Sequence, residues 1–275
     1  MTISPFDNAD LLGLNQYTTR KWSVREAAEG CARAGLHFIG LWRDKVAATG
    51  LSESARICRE SGLTVSGLCR GGMFPAITET DRRKNVDDNR RAVDECVALG
   101  TDTLILVCGG LSGCNIDSAR QMVRDGIAAI LPYASSCGVN LGIEPLHPMF
   151  AADRSVINTL GQALDVVDAI GSPGVGVVID VYHVWWDPDL YRQIERARGR
   201  IYGLHVSDWL VPPPDILLGR GMMGEGVIEI RRIRGAVQAS GYGGAIECEI
   251  FNREIWNMPG DKVLELMKRR YLEHC

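Results

Sequence analysis

The sequence predicts a single α/β domain over residues 1–275, folded as a closed (β/α)8 barrel with parallel strands. Three observations predict it. Apolar runs of strand length alternate eight times with amphipathic runs of helix length. A glycine stands at most helix-to-strand junctions: Gly35, Gly62, Gly100, Gly138, Gly171 and Gly241. The last four strands end on acids or a histidine, and the carboxyl ends of the strands are where barrels of this kind carry their chemistry. An open doubly wound sheet would place a glycine-rich phosphate turn after its first strand, and Leu14-Asn15-Gln16-Tyr17-Thr18 is not one.

The elements follow in order. Leu11 to Asn15 reads as the first strand. Ser23 caps a helix over Val24 to Ala34, with Glu26 completing a capping box and Gly35 ending it. A second strand spans His37 to Arg43, a helix Glu53 to Ser61, and a third strand Thr64 to Cys69. Then come a helix over Val86 to Leu99, a strand over Thr103 to Val107, a helix over Ser118 to Ser136 and a strand over Asn140 to Glu144. A helix from Val156 to Ile170 precedes the strand that ends at Asp180, whose β-branched run Val175-Gly176-Val177-Val178-Ile179 suits burial on both faces. A short helix near Leu190 to Ala197, a strand Ile201 to His205, a helix Arg231 to Ser240, a strand Gly244 to Glu249 and a closing helix Asp261 to Tyr271 complete the chain.

Composition narrows the function. With 46% hydrophobic residues and 23% charged, the chain is an ordinary globular protein, and its net charge of −4 argues against a nucleic-acid partner. No apolar run reaches membrane-span length. The opening Met1-Thr2-Ile3-Ser4-Pro5-Phe6-Asp7 lacks the basic and apolar stretches of a leader. Nine cysteines without a C-x-x-C pair read as reduced core residues of a cytoplasmic protein.

The rim carries the chemistry. The last four strands end in Glu144, Asp180, His205 and Glu249. Side chains alternate along a strand, so one register turns all four inward and sends Leu141, Ile143, Val177, Ile179, Tyr202, Leu204, Ile246 and Cys248 out toward the helices. Gly142 and Gly203, two residues before the rim, leave room beneath. Three carboxylates at close quarters repel one another unless a cation offsets them. Oxygen-rich ligation with one imidazole suits Mn²⁺ first, with Mg²⁺ or Co²⁺ as alternatives. Glu247 shares a face with Glu249 and competes with it by spacing. Whichever acid lies deeper needs a partner such as Arg70.

These motifs resemble the xylose-isomerase-like TIM barrels of the sugar phosphate isomerase/epimerase type. The likeness covers essentially the whole chain. It is most specific in Gly142-Ile143-Glu144-Pro145, Val178-Ile179-Asp180-Val181-Tyr182-His183, Leu204-His205-Val206-Ser207-Asp208 and Gly241-Tyr242-Gly243-Gly244. The resemblance implies one divalent metal ion held by Glu144, Asp180, His205 and Glu249. It selects Glu249 over Glu247, implies that His183 contacts substrate, and gives the two glutamates the roles of acid and base.

Ketose epimerases of the family usually carry an arginine soon after the histidine of the seventh strand. Here Val211-Pro212-Pro213-Pro214 stands there, and Arg220 in a long glycine-rich loop, Trp209 to Gly226, is the candidate replacement and part of a lid. His147 adds an imidazole near the metal, with a structural hydrogen bond as the alternative reading. Trp42 and Trp186 are candidate walls for a sugar ring, and packing under loops is the competing reading for both. Arg70 is a candidate substrate contact.

The activity expected is removal of a proton alpha to a metal-bound carbonyl of a sugar or keto-sugar, followed by its return as isomerisation or epimerisation. Expulsion of a beta substituent by the same start makes a lyase or dehydratase, and similar chains that cleave keto-glycosides work with a small second subunit. For a leaving group, His147 and His183 at the ordinary imidazole pKa would be the proton donors. A homo-oligomer and such a hetero-complex are both open. A three-zinc repair nuclease on the same barrel needs more rim histidines than the chain has, and a non-catalytic sugar-binding protein is the non-enzyme alternative.

Overall fold

The computed structural model describes residues 8–275; the opening seven residues, read above for a leader, lie outside it. The elements are β1 (Leu12–Asn15), α1 (Val24–Ala34), β2 (Phe38–Trp42), α2 (Arg43–Thr49), α3 (Leu51–Glu60), β3 (Thr64–Gly72), α4 (Glu79–Leu99), β4 (Thr103–Val107), α5 (Ile116–Ser136), β5 (Asn140–Ile143) and α6 (Leu160–Ile170). They continue with β6 (Val175–Asp180), α7 (Val181–Val184), α8 (Leu190–Arg196), β7 (Ile201–Val206), β8 (Asp208–Trp209), β9 (Arg220–Gly221), α9 (Ile230–Ala239), β10 (Ile246–Cys248), α10 (Arg253–Asn257) and α11 (Gly260–His274). Eight strands close a parallel barrel in the order β1, β10, β7, β6, β5, β4, β3, β2 and back to β1. β8 and β9 form a separate antiparallel ribbon.

Local signals explain most boundaries. Ser23 and Glu26 form the capping box of α1, and Gly35 takes the left-handed conformation (φ 66°) that ends it. Several boundaries differ from the sequence expectation, and three are instructive. α4 begins at Glu79, well before Val86, because Thr78 caps it through the Asp81 N–H; its first turns are wholly polar and show no periodicity. α6 begins at Leu160, capped by Thr159, while the preceding stretch is held extended by Asn158 Nδ2, which donates to Leu146 O and Ser155 O. The second strand stops at Trp42, and Arg43 opens the unexpected short helix α2.

The main core lies between barrel and helices, and Ile143, Val177, Ile179, Leu204, Ile246 and Cys248 all belong to it, fully buried. With Leu141, also fully buried, these are the outward residues predicted for the last four strands, apart from Tyr202, which is half-buried. Inside the barrel, Val178 fills the space left by two glycines. A Cβ on Gly142 would stand 2.7 Å from Val178 Cγ2, and one on Gly203 3.1 Å from Val178 Cγ1. The interior is therefore a packed floor beneath the rim rather than a pore. Among the described residues no helix is long and apolar enough to cross a membrane, and all nine cysteines are free.

Candidate active site

Glu144 follows β5, Asp180 ends β6, His205 lies in β7 and Glu249 follows β10. Each offers one ligand atom, and these four atoms lie within 4.8 Å of one another in a wholly buried cluster. His205 Nδ1 is 3.1 Å from Glu144 Oε1 and 3.9 Å from Glu249 Oε2. Glu144 Oε1 and both His205 ring nitrogens are buried and make no hydrogen bond. Buried polar atoms that approach this closely without bonding leave their lone pairs free for a shared cation. Three carboxylates with one imidazole nitrogen form a hard, oxygen-rich donor set that fits a divalent ion.

Arg220 enters the same cluster. It is 4% exposed; Nη1 donates to Asp180 Oδ2 at 2.7 Å and to Glu249 Oε2 at 3.0 Å, while Nη2 stands 3.2 Å from His183 Nε2. Its guanidinium lies over Tyr182 and Phe251, 4.6 and 4.9 Å from the ring centroids. The loop thus delivers Arg220 onto two of the candidate ligands themselves, closer to the cluster than a lid residue reaching only for substrate. Ribbon pairing explains how: Arg220 pairs with Trp209, and Asp208 ties the loop down by accepting the N–H groups of Trp209, Gly224 and Ile228.

Electrostatics sort the titratable groups. Burial pushes the Glu249 carboxyl up to about 8, against the pull of Arg220 and His205. Burial alone would raise Asp180 as well, but Arg220, His183 and His205 outweigh it and hold that carboxyl below its usual range. His205 goes the other way: burial disfavours its charge, yet Glu247, Glu144 and Glu249 raise it to about 10. Burial brings His183 down to about 3, so it is neutral at physiological pH. Arginine only donates, which makes His183 Nε2 the acceptor and puts the ring proton on Nδ1.

A cavity of about 810 Å³ opens above the cluster. Trp42, Arg70, Glu144, His183, Arg220 and Glu249 line it. Two sequence candidates do not. His147 stacks on Trp209 (5.1 Å between centroids) and meets Trp186 edge-on (5.5 Å), and its Nδ1 accepts the Met149 N–H. Its ring is a wedge under the loops, so the structural alternative holds for it. Trp186 Nε1 donates to His183 O at 2.8 Å and packs outside the cavity, so it is no sugar wall. His183 lines the cavity, and burial, with Arg220 beside it, lowers its imidazole well below the usual range.

Glu247 lies one layer deeper, and its partners differ from the expected Arg70. Asn15 Nδ2 donates to its Oε2 at 2.9 Å, Ser66 Oγ to its Oε1 at 2.7 Å, and His205 Nε2 stands 3.6 Å from Oε2. Arg70 is exposed at the rim instead. Asn15 and Ser66 escaped the sequence reading. Asn15 at least carried a readable signal, since it is a polar end to an apolar strand, as Asp180 is.

A parallel eight-stranded barrel that converges three carboxylates, an imidazole and an arginine under one open cavity has the layout of a barrel active site at the carboxyl ends of its strands. The chain is a member of the xylose isomerase-like TIM barrel family, whose model matches residues 28–270. It is 52% identical to protein SMc04130 from Sinorhizobium meliloti 1021, whose crystal structure matches with a TM-score of 0.95 over 98% of this chain and 99% of that one. It is 26% identical over 239 residues to a 3-dehydroshikimate dehydratase from Pseudomonas putida, covering 84% of this chain and 36% of that protein. It is also 26% identical over 157 residues to an inosose isomerase from Halalkalibacterium halodurans, covering 56% of each. The chain thus spans 36% and 56% of the length of these two curated relatives. The family is one of enzymes, with isomerases and a dehydratase among its named members.

Proposed function

We propose that the protein is a divalent-metal-dependent isomerase or epimerase of a sugar or keto-sugar, acting as a single cytoplasmic domain. The observation that carries this reading is the buried Glu144, Asp180, His205 and Glu249 cluster with unbonded, mutually facing donor atoms beneath an open cavity. Those four residues would hold the ion, and Mn²⁺ is the proposed one, ahead of Mg²⁺ or Co²⁺. When bound, a divalent ion polarises a carbonyl and stabilises the negative charge that builds on its oxygen once the alpha proton leaves.

The chain's own residues supply the rest. Glu144 and Glu249 enter from β5 and β10 and reach the cavity from two sides, an arrangement suited to taking a proton from one carbon and returning it to another. Arg220 fixes Asp180 and Glu249 in place and directs a positive charge at the reacting oxygens. Neutral His183, anchored through its backbone carbonyl by Trp186, binds substrate by hydrogen bond. Trp42 and Arg70 complete the substrate wall. The free thiols support a reducing compartment.

A dehydratase or lyase is the second reading, favoured by the match of 84% of this chain to a protein named as a 3-dehydroshikimate dehydratase. Both reactions start with the same proton. Metal-loaded protein incubated in D₂O with a panel of ketoses, inososes and 3-dehydroshikimate should place deuterium at the substrate's alpha carbon. Product analysis then separates rearrangement from elimination. Absence of alpha exchange with every member of the panel would overturn both readings.

A further inference from the structure

Beside the main cavity lies a second concavity of about 500 Å³, lined by Arg20, Lys21, Lys45, Arg253, Trp256 and Asn257. These residues follow β1, β2 and β10, so the pocket opens at the carboxyl end of the barrel, as the cluster does. Arg20 and Trp256 line both spaces and form their common wall. Its lining carries four cations and no acid, in a chain whose net charge is −4. Among the described residues, none of the four has a carboxylate within ion-pair distance, whereas about half of the chain's lysines and arginines do, among them Arg25, Arg83, Arg192 and Arg232.

A solvated basic face would leave these side chains loose, and here three are anchored. The Arg20 guanidinium stacks over Trp256 and Tyr17, 4.7 and 5.6 Å from the centroids. Lys45 Nζ donates to the Arg20 carbonyl oxygen and reaches Trp22 O at 3.5 Å. Lys21 Nζ donates to Asn257 Oδ1 at 2.8 Å. Holding four like charges around one small concavity raises the energy of the free protein, and an anion seated there lowers it.

We propose that this pocket is a subsite for an anionic group, phosphate or carboxylate, at the far end of the substrate whose carbonyl faces the Glu144–Glu249 cluster. The inference rests on the carbonyl reading of the main cavity and adds the substrate class: an acidic sugar derivative rather than a neutral one. Arg20 is the residue shared by the body of the substrate and its charged end.

The test titrates metal-loaded protein at low ionic strength with D-fructose, D-fructose 6-phosphate, D-fructuronate and inorganic phosphate, read by tryptophan fluorescence and calorimetry. Fructose 6-phosphate should bind about tenfold or more tightly than fructose, the scale of one charge-assisted hydrogen bond. Inorganic phosphate should bind saturably and compete with fructose 6-phosphate but not with fructose. Fructuronate matching fructose 6-phosphate makes the subsite a general anion site; fructuronate matching fructose makes it a phosphate site. Arg20→Gln/Lys45→Gln/Arg253→Gln should abolish the advantage, and Arg253→Gln alone, at an exposed position, should reduce it without touching the fold. Equal binding of fructose and its phosphate, an advantage that survives the triple substitution, or no saturable phosphate binding would overturn the proposal. Repeating the titration after chelation separates the two readings: loss of metal should weaken every sugar while leaving the phosphate-to-neutral ratio intact, and sugar binding that ignores the metal counts against the carbonyl reading alone.

Discussion

Glu247 Oε2 stands 3.6 Å from His205 Nε2, on the edge of the ring opposite Nδ1, which faces Glu144 Oε1 at 3.1 Å. The imidazole is therefore bracketed: one nitrogen points into the candidate ligand cluster, the other at a buried acid. That acid is itself fixed by Asn15 and Ser66, and Gly40 makes its space, since a Cβ there would lie 1.9 Å from Glu247 Oε2. A carboxylate behind a metal-binding histidine sets its tautomer and its basicity.

Glu247→Gln should accordingly weaken divalent-metal affinity by roughly 10–100-fold, the usual cost of losing such a partner. Gly40→Ala should act in the same direction by displacing the Glu247 side chain. Competition with a metal-chelating dye measures both. Wild-type affinity in both variants would show that Glu247 does not support His205.

Arg220 offsets the buried carboxylates of Asp180 and Glu249. Arg220→Ala should destabilise chelator-treated protein by about 3 kcal/mol or more, the scale of breaking a buried ion pair. A saturating divalent ion should recover part of that loss, because it neutralises the same oxygens. Denaturant unfolding with and without metal reads this out. Turnover of the loaded variant should fall by about 100-fold or more through loss of an oriented charge.

The two rim histidines should now behave differently. His183→Ala, which removes a cavity-lining group, should lower kcat/KM by at least about tenfold, mainly through a raised KM, as loss of a substrate hydrogen bond does. His147→Ala should leave kcat near wild type and lower the melting temperature instead, because its ring fills space between Trp209 and Trp186. Loss of turnover in His147→Ala with an unchanged melting temperature would restore a catalytic role for it.

At the edge of the main cavity, which both Arg43 and Asp88 line, Arg43 bridges Asp88 (2.8 Å) and Glu95 (2.6 Å) and ties α2 to α4. Hydrogen bonding to Arg43 holds the Asp88 carboxyl below its usual value, even against its partial burial. A depressed carboxyl contributes stability above its unfolded pKa and loses it as pH falls through the folded value. Arg43→Ala should cost on the order of 1 kcal/mol at neutral pH, since the group is partly solvated and screened. The gap between wild type and variant should narrow below about pH 4, where Asp88 gains its proton. A gap that stays constant in acid would remove Asp88 from the account.

The barrel was legible because period and punctuation are local. Alternating strands and helices, Ser23 with Glu26, and Gly35 each act over a few residues, and chain chemistry alone decides them. The inward register of Glu144, Asp180, His205 and Glu249 was legible for the same reason: alternation along one strand determines which face a residue takes. Which residues meet across the barrel is a different question. Glu247 found Asn15 and Ser66, hundreds of positions away in sequence, because barrel closure brings β10, β1 and β3 around one interior point. Arg220 reached Asp180 because an antiparallel ribbon and the Asp208 side chain fold its loop back, and no spacing rule encodes that turn. His147 and Trp186 carried the same rim signal as His183, yet the backbone rotates past the strand ends and turns them into the packing beneath the loops. Alternation carries one residue past the strand end, to Glu144 and Glu249, and several residues further on side-chain direction is decided by loop geometry and packing in three dimensions.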